Sequence, residues 1–81
     1  SMSKCEKKIV DYISTEKGIL TEDVEVNKSV FECGYIDSLG FYKFCIMLES
    51  EFNVIIDVDD IIDSEILSIE ELCRIINKKA I

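Results

Sequence analysis

The chain has 81 residues, 48% hydrophobic and 32% charged, a composition typical of one small globular domain. Its 17 acidic and 9 basic residues give a net charge of −8 without any histidine, so its surface repels phosphate backbones and nucleic-acid binding is not expected. No stretch is long and apolar enough for membrane insertion, and the N-terminus is unlike a secretory signal. We therefore expect a cytoplasmic monomer whose acidic surface attracts basic partner proteins.

The first predicted element is a helix over residues 4–16. Apolar side chains recur there at helical spacing: Cys5, Ile9, Tyr12 and Ile13. Gly18 follows as a stop signal. Ser1 before Met2 is typical of an expression scar, so residues 1–3 are expected to form a disordered N-terminus and residues 4–81 a single domain.

A long connection without periodicity covers residues 19–37, with one possible helical turn at residues 21–24. A connection this long is uncommon in a small domain unless it is functional or held by packing. Its apolar residues are therefore expected to pack against the helices: Leu20, Val24, Val26, Val30 and Phe31.

Residues 38–52 predict a second helix with two apolar faces. One face suits the core and comprises Phe41, Phe44, Cys45, Leu48 and Phe52. The other face carries Leu39, Tyr42 and Ile46, which we call the α2 stripe. Either this stripe contacts a partner protein or a short third helix covers it.

The remaining segments predict an extended connector at residues 54–56, a short acidic helix at 57–62 and a last helix at 69–79. Ser68 and Glu71 form a capping-box pattern, in which Ser68 caps the last helix and Glu71 bonds back to it. The predicted fold is all-α: three long helices and one short helix, with a long loop between the first two.

The chain lacks the residues that common catalytic and metal sites require. It has no histidine, and its four cysteines are scattered at positions 5, 33, 45 and 73. Cys5, Cys45 and Cys73 fall on apolar helix faces and are expected to be small buried hydrophobic residues in a reducing compartment. The sequence therefore predicts a protein that is not an enzyme and holds no metal ion.

Asp37 and Ser38 stand at the start of the second predicted helix, three residues after Gly34. Either side chain suits the N-cap, and Gly34 can adopt the positive φ that turns the chain toward the helix. A helix N-terminus also favours a phosphate group, because its N–H groups are free and its dipole end is positive. Ser38 is thus either a helix-opening residue only or a serine placed to carry a phosphate.

The segment that contains this pair resembles a known motif. Residues 34–39, GYIDSL, look like the attachment motif of acyl and peptidyl carrier proteins. Residues 48–54, LESEFNV, are similar to a second stretch of that family, and the acidic third helix extends the likeness over essentially the whole chain.

The resemblance implies that Ser38 receives 4′-phosphopantetheine from coenzyme A through a Mg-dependent phosphopantetheinyl transferase. The thiol of this arm would hold an acyl or aminoacyl group as a thioester and carry it between acyltransferases or synthases of fatty-acid, polyketide or related biosynthesis. Asp37 would help the transferase to dock or to hold its metal. The α2 stripe would contact partner enzymes, and the acidic residues Glu49, Asp59 and Asp60 would form a negative rim, with Glu51 beside them.

Three positions depart from fatty-acid carriers, which usually have acidic residues where this chain has Gly40 and Lys43, and commonly have Pro where it has Asp57. Gly40 is more similar to free-standing carriers of the D-alanyl type, which are loaded by an adenylating ligase. An aminoacyl carrier is therefore one alternative. A small acidic interaction module without a cofactor, in which Ser38 is only a cap, is an alternative of another class.

Overall fold

The computed structural model describes residues 1–80 and confirms the all-α fold. Its elements are α1 (Lys4–Lys17), a 3₁₀ turn (Thr21–Asp23), α2 (Ser38–Phe52), α3 (Val58–Ile62) and α4 (Ile69–Lys79). Among the described residues, β-type pairing is limited to an isolated bridge between Ser29 and Ser68. Each predicted helix is present, with its ends within one residue of the predicted positions.

Residues with specialised conformations fix both ends of α1. Ser3 and Glu6 form a complete capping box, in which each side chain accepts from the backbone N–H of the other. Ser3 is therefore the N-cap of α1, and the helix itself begins at Lys4, as predicted. At the other end Gly18 adopts a φ of 65°, the left-handed conformation that ends helices.

The core lies where α1, α2 and α4 meet. Its fully buried side chains are Ile9, Val10, Ile13, Val30, Phe44, Leu48, Ile69, Leu72 and Ile76. The apolar periodicity predicted most of these positions correctly. Val10 on α1 and Ile75 on α4 are also buried, because each of these helices is covered over a wider arc than a single stripe.

The long loop is held by both packing and backbone hydrogen bonds. The Val30 N–H donates to Leu67 O at 3.0 Å, and the Glu70 N–H donates to Val26 O at 3.0 Å. Val24 and Val30 are buried as predicted. The prediction that Leu20 packs against the helices was wrong: it is the extended residue just before the 3₁₀ turn, and 62% of it is exposed.

The cap of α4 is only half of the predicted capping box. Ser68 Oγ accepts from the Glu71 N–H at 3.0 Å, as expected. The carboxylate of Glu71 does not return to Ser68; it forms an ion pair with Arg74 at 2.7 Å and accepts from the Ser64 hydroxyl at 2.9 Å. Arg74 supplies a charged donor and Ser64 a hydroxyl to this carboxylate, while the Ser68 N–H donates to Ile66 O at 3.1 Å.

The four cysteines are free thiols. Cys5 and Cys73 are buried as predicted, and burial raises the pKa of both, so they remain protonated and unreactive. Cys45 was also predicted to be buried and is only half-buried.

Candidate functional site at the start of α2

A tightly hydrogen-bonded turn leads the chain into α2. The N–H groups of Tyr35 and Ile36 both donate to Val30 O, at 2.9 Å and 3.2 Å. Gly34 has a φ of 75°, as predicted, and its N–H donates to Phe31 O at 3.0 Å. Because Val30 is fully buried, these bonds fix the turn to the core and hold the start of α2 in place.

Asp37 is the N-cap of α2. Its Oδ1 accepts from the Gly40 N–H at 2.6 Å, which satisfies one of the free donors of the first turn. A Cβ atom on Gly40 would lie 3.0 Å from that same oxygen. The absence of a side chain at Gly40 therefore allows the carboxylate to approach the helix end closely.

Ser38 is the first residue of α2 and is exposed. The N–H groups of Ser38 and Leu39 precede the first backbone bond of the helix and have no acceptor within it. A phosphodiester on the Ser38 oxygen would lie beside these donors and the positive end of the helix dipole. The residues present thus fit a phosphate-linked group on Ser38, and solvent exposure leaves room for a long arm.

A row of aromatic rings supports this end of α2. The ring centroids of Phe31 and Phe41 lie 5.2 Å apart, those of Phe41 and Phe44 6.4 Å, and those of Phe44 and Tyr12 5.7 Å. All three pairs are tilted, an arrangement that aromatic quadrupoles favour. The row connects the long loop, α2 and α1, so the position of Ser38 depends on all three segments.

The α2 stripe is uncovered. Leu39 is 93% exposed, Tyr42 75% and Ile46 47%. Of the two alternatives left by the sequence, the one in which a short third helix covers these side chains is therefore wrong. The connector and α3 instead add further exposed apolar side chains nearby in sequence: Ile55 in the connector, and Val58 and Ile62 on α3.

The sequence analysis did not identify these three residues as candidates for partner contact. A signal for them existed, because Val58 and Ile62 are four residues apart on a helix of only five residues. One short helix cannot bury every apolar residue that it carries, and here Ile61 is the one that packs against the core.

The predicted acidic rim is partly used within the fold. Glu49 Oε2 accepts from the Ile56 N–H at 2.8 Å, which ties the connector to α2. Asp60 Oδ2 pairs with Lys79 at 2.9 Å and accepts from the Asp57 N–H at 3.0 Å. The Lys79 ammonium group lowers the pKa of Asp60. Asp59 is exposed.

Comparison with protein families gives a match over most of the chain. The model of the family described as "phosphopantetheine attachment site" matches residues 7–76. The chain belongs to this family. Its domains carry 4′-phosphopantetheine covalently and act as carriers that interact with phosphopantetheinyl transferases and biosynthetic enzymes, typically without catalytic activity of their own. No curated protein and no solved structure gave a significant match.

Two features are absent from residues 1–80. No group of three or more His, Cys, Asp or Glu side chains in this part of the chain is arranged to hold a metal ion. None of its helices has both the length and the apolar character needed to cross a membrane.

Proposed function

We propose that Ser38 is the residue of this carrier to which the 4′-phosphopantetheine arm is attached. The observation that carries the proposal is the exposed serine hydroxyl at the first position of α2, on a turn that is hydrogen-bonded to the core. In the attachment reaction the Ser38 oxygen forms a bond to phosphorus and loses its proton, and the nucleotide half of coenzyme A leaves. A separate transferase supplies the catalysis.

The residues around Ser38 contribute orientation and charge. The bond from Gly40 to Asp37 Oδ1 fixes the first turn, so the hydroxyl is presented in one direction. The second carboxylate oxygen of Asp37 remains available to the transferase or to its metal ion. The free N–H groups of the turn then offset part of the negative charge of the attached phosphodiester.

The cargo is a group held as a thioester on the arm, either acyl or aminoacyl. Gly40 favours the aminoacyl alternative, in which an adenylating ligase loads the arm. An acyl cargo for fatty-acid, polyketide or related biosynthesis is the other form of the same function. The free thiols favour a reducing, cytoplasmic location, and the carrier is proposed to act as a monomer.

Partner enzymes are proposed to bind the α2 stripe, whose exposed apolar side chains lie beside Ser38. Asp59 would contribute a free carboxylate to the negative rim of this surface. Glu49 and Asp60 would contribute through the oxygens that are not used by Ile56 and Lys79. Such a rim speeds association with basic partners, most strongly at low salt.

Intact-mass measurement tests the proposal. The protein is incubated with coenzyme A, Mg²⁺ and a broad-specificity phosphopantetheinyl transferase, beside the variants Ser38→Ala and Ser50→Ala. Ser50 is the matched control, because it is an exposed serine on the same helix. We expect one phosphopantetheine on the parent and on Ser50→Ala and none on Ser38→Ala. Modification of folded Ser38→Ala would show that another residue carries the arm.

A further inference from the structure

The α2 stripe has different charges along its two edges. With about 100° of rotation per residue, Lys43 lies roughly 40° from Leu39 around the helix axis, while Glu49 lies roughly 80° away on the opposite side. Ser38 is on the same side as Glu49. One edge of the stripe therefore carries the attachment serine and a carboxylate, and the other edge carries a cation.

Contacts of Glu49 and Lys43 with other segments show which part of the domain each edge of the α2 stripe faces. Glu49 bonds to the backbone of Ile56, so its edge faces the connector that leads into α3. Lys43 lines a hollow of about 240 Å³ together with Tyr12 and Lys17 of α1, so its edge faces α1. The two edges thus belong to different sides of the domain, and α2 separates them.

The cation at Lys43 is available to a partner. Its side chain is exposed, and none of the ion pairs among residues 1–80 includes it. The titratable groups around the same hollow are Tyr12, Glu16, Lys17, Tyr35 and Asp37. Glu16 and Lys17 bring one charge of each sign to this hollow, and Asp37 adds a carboxylate whose Oδ1 accepts from the Gly40 N–H. Lys43 is therefore the positive charge that α2 itself places beside the stripe, in a protein whose net charge is −8.

We infer that the enzyme that docks on the α2 stripe presents an apolar socket with a carboxylate opposite Lys43 and a cation opposite Glu49 and Asp59. This inference rests on the proposed carrier function. An apolar stripe alone can be bound in either of two orientations, because apolar contacts are not directional. Opposite charges on its edges favour one orientation, since the reversed complex places like charges together. That orientation fixes the side from which the Ser38 arm enters the partner.

Synthetic amphipathic helical peptides test this surface without a known partner. The peptides share one apolar face; one carries Lys along both edges, and the other carries Glu along one edge and Lys along the other. Binding is followed by the amide NMR shifts of the stripe residues at about 0.15 M salt, where charges more than about 8 Å apart are largely screened. The measured quantity is the ratio of the two dissociation constants for each protein variant.

Lys43→Glu is expected to weaken binding of the mixed peptide, to strengthen binding of the all-Lys peptide, and so to change the ratio at least about three-fold. The control Lys78→Glu makes the same change in net charge on α4 and is expected to leave the ratio unchanged. The inference would be overturned if the ratio of dissociation constants changed equally in both variants or in neither, or if the NMR signals of the stripe responded to no peptide.

Attachment of the arm is measured on the same samples. A parent that takes up the arm while the ratio stays constant refutes only the docking polarity, and a parent that takes up no arm refutes the carrier function.

Discussion

The contribution of the Asp37 cap of α2 to stability can be tested by adding one methyl group at Gly40. In Gly40→Ala the new Cβ would lie 3.0 Å from Asp37 Oδ1, the oxygen that accepts from the Gly40 N–H at 2.6 Å. Within a helix, replacing glycine by alanine normally stabilises by up to about 1 kcal/mol, because the unfolded chain loses less entropy on folding. At this position the methyl group also displaces the cap, so the two effects oppose each other.

The expected changes in the free energy of unfolding are not additive for substitutions at Asp37 and Gly40. Asp37→Ala removes the cap and is expected to lower the free energy of unfolding by about 1 kcal/mol. Gly40→Ala in the parent is expected to change it by close to zero, because the gain of up to about 1 kcal/mol offsets a cap loss of similar size. In the Asp37→Ala background the same substitution should stabilise by up to about 1 kcal/mol, since no carboxylate is displaced. The coupling corresponds to about 4–8 °C in melting temperature for a domain of this size.

Thermal and urea unfolding followed by circular dichroism measures the parent, both single variants and the double variant. Asp37→Asn serves as the control, because asparagine caps helices about as well as aspartate and should keep the stability of the parent. If Gly40→Ala stabilises equally with and without Asp37, the cap is looser than the structure shows and the reasoning is refuted.

Three further predictions concern the core, the cap of α4 and acid stability. Phe44→Ala should lower the free energy of unfolding by about 3–5 kcal/mol, because Phe44 is fully buried, and urea unfolding that shows a loss below about 1 kcal/mol would contradict its place in the core. Ser68→Ala should cost about 1 kcal/mol in the same assay, because Ser68 Oγ accepts from the Glu71 N–H at 3.0 Å, and an unchanged midpoint would argue against this cap. The Arg74 guanidinium and the Ser64 hydroxyl lower the pKa of Glu71 to about 2 from the model-peptide value of 4.5. Because the folded state holds the ionised form, this stabilisation is full above about pH 4.5 and is lost as the pH falls toward 2. Urea unfolding over this range should therefore show a shallower loss of stability in Glu71→Gln than in the parent, and equal slopes would contradict the assignment.

The helices could be predicted because their signals are local. The apolar spacing of α1 and α4, the glycine at position 18 and the serine at position 68 act within one or two turns of the residues that they affect. The same holds for Gly34 and Asp37, whose roles in the turn before α2 follow from residue type and position. The turn and the helix cap next to Ser38 could therefore be predicted before their geometry was known.

The features that could not be predicted depend on contacts between distant segments. The periodicity of α2 indicated two apolar faces, but it could not say which face another helix covers. Asp60 pairs with Lys79, which is 19 residues away in sequence. This tertiary contact leaves the Asp60 carboxylate less available to a partner protein, and no local pattern indicates it. Glu71 illustrates the same limit at shorter range, because Arg74 and Ser64 compete with Ser68 for its carboxylate.

Mapping the modified residue tests the central claim most directly. The parent protein is loaded from coenzyme A by the transferase, digested with a protease, and its peptides are sequenced by tandem mass spectrometry. The account predicts that the phosphopantetheine mass lies on Ser38 in the peptide that contains the sequence IDSLG. A phosphopantetheine on any other serine, or a folded protein that takes up none, would contradict it.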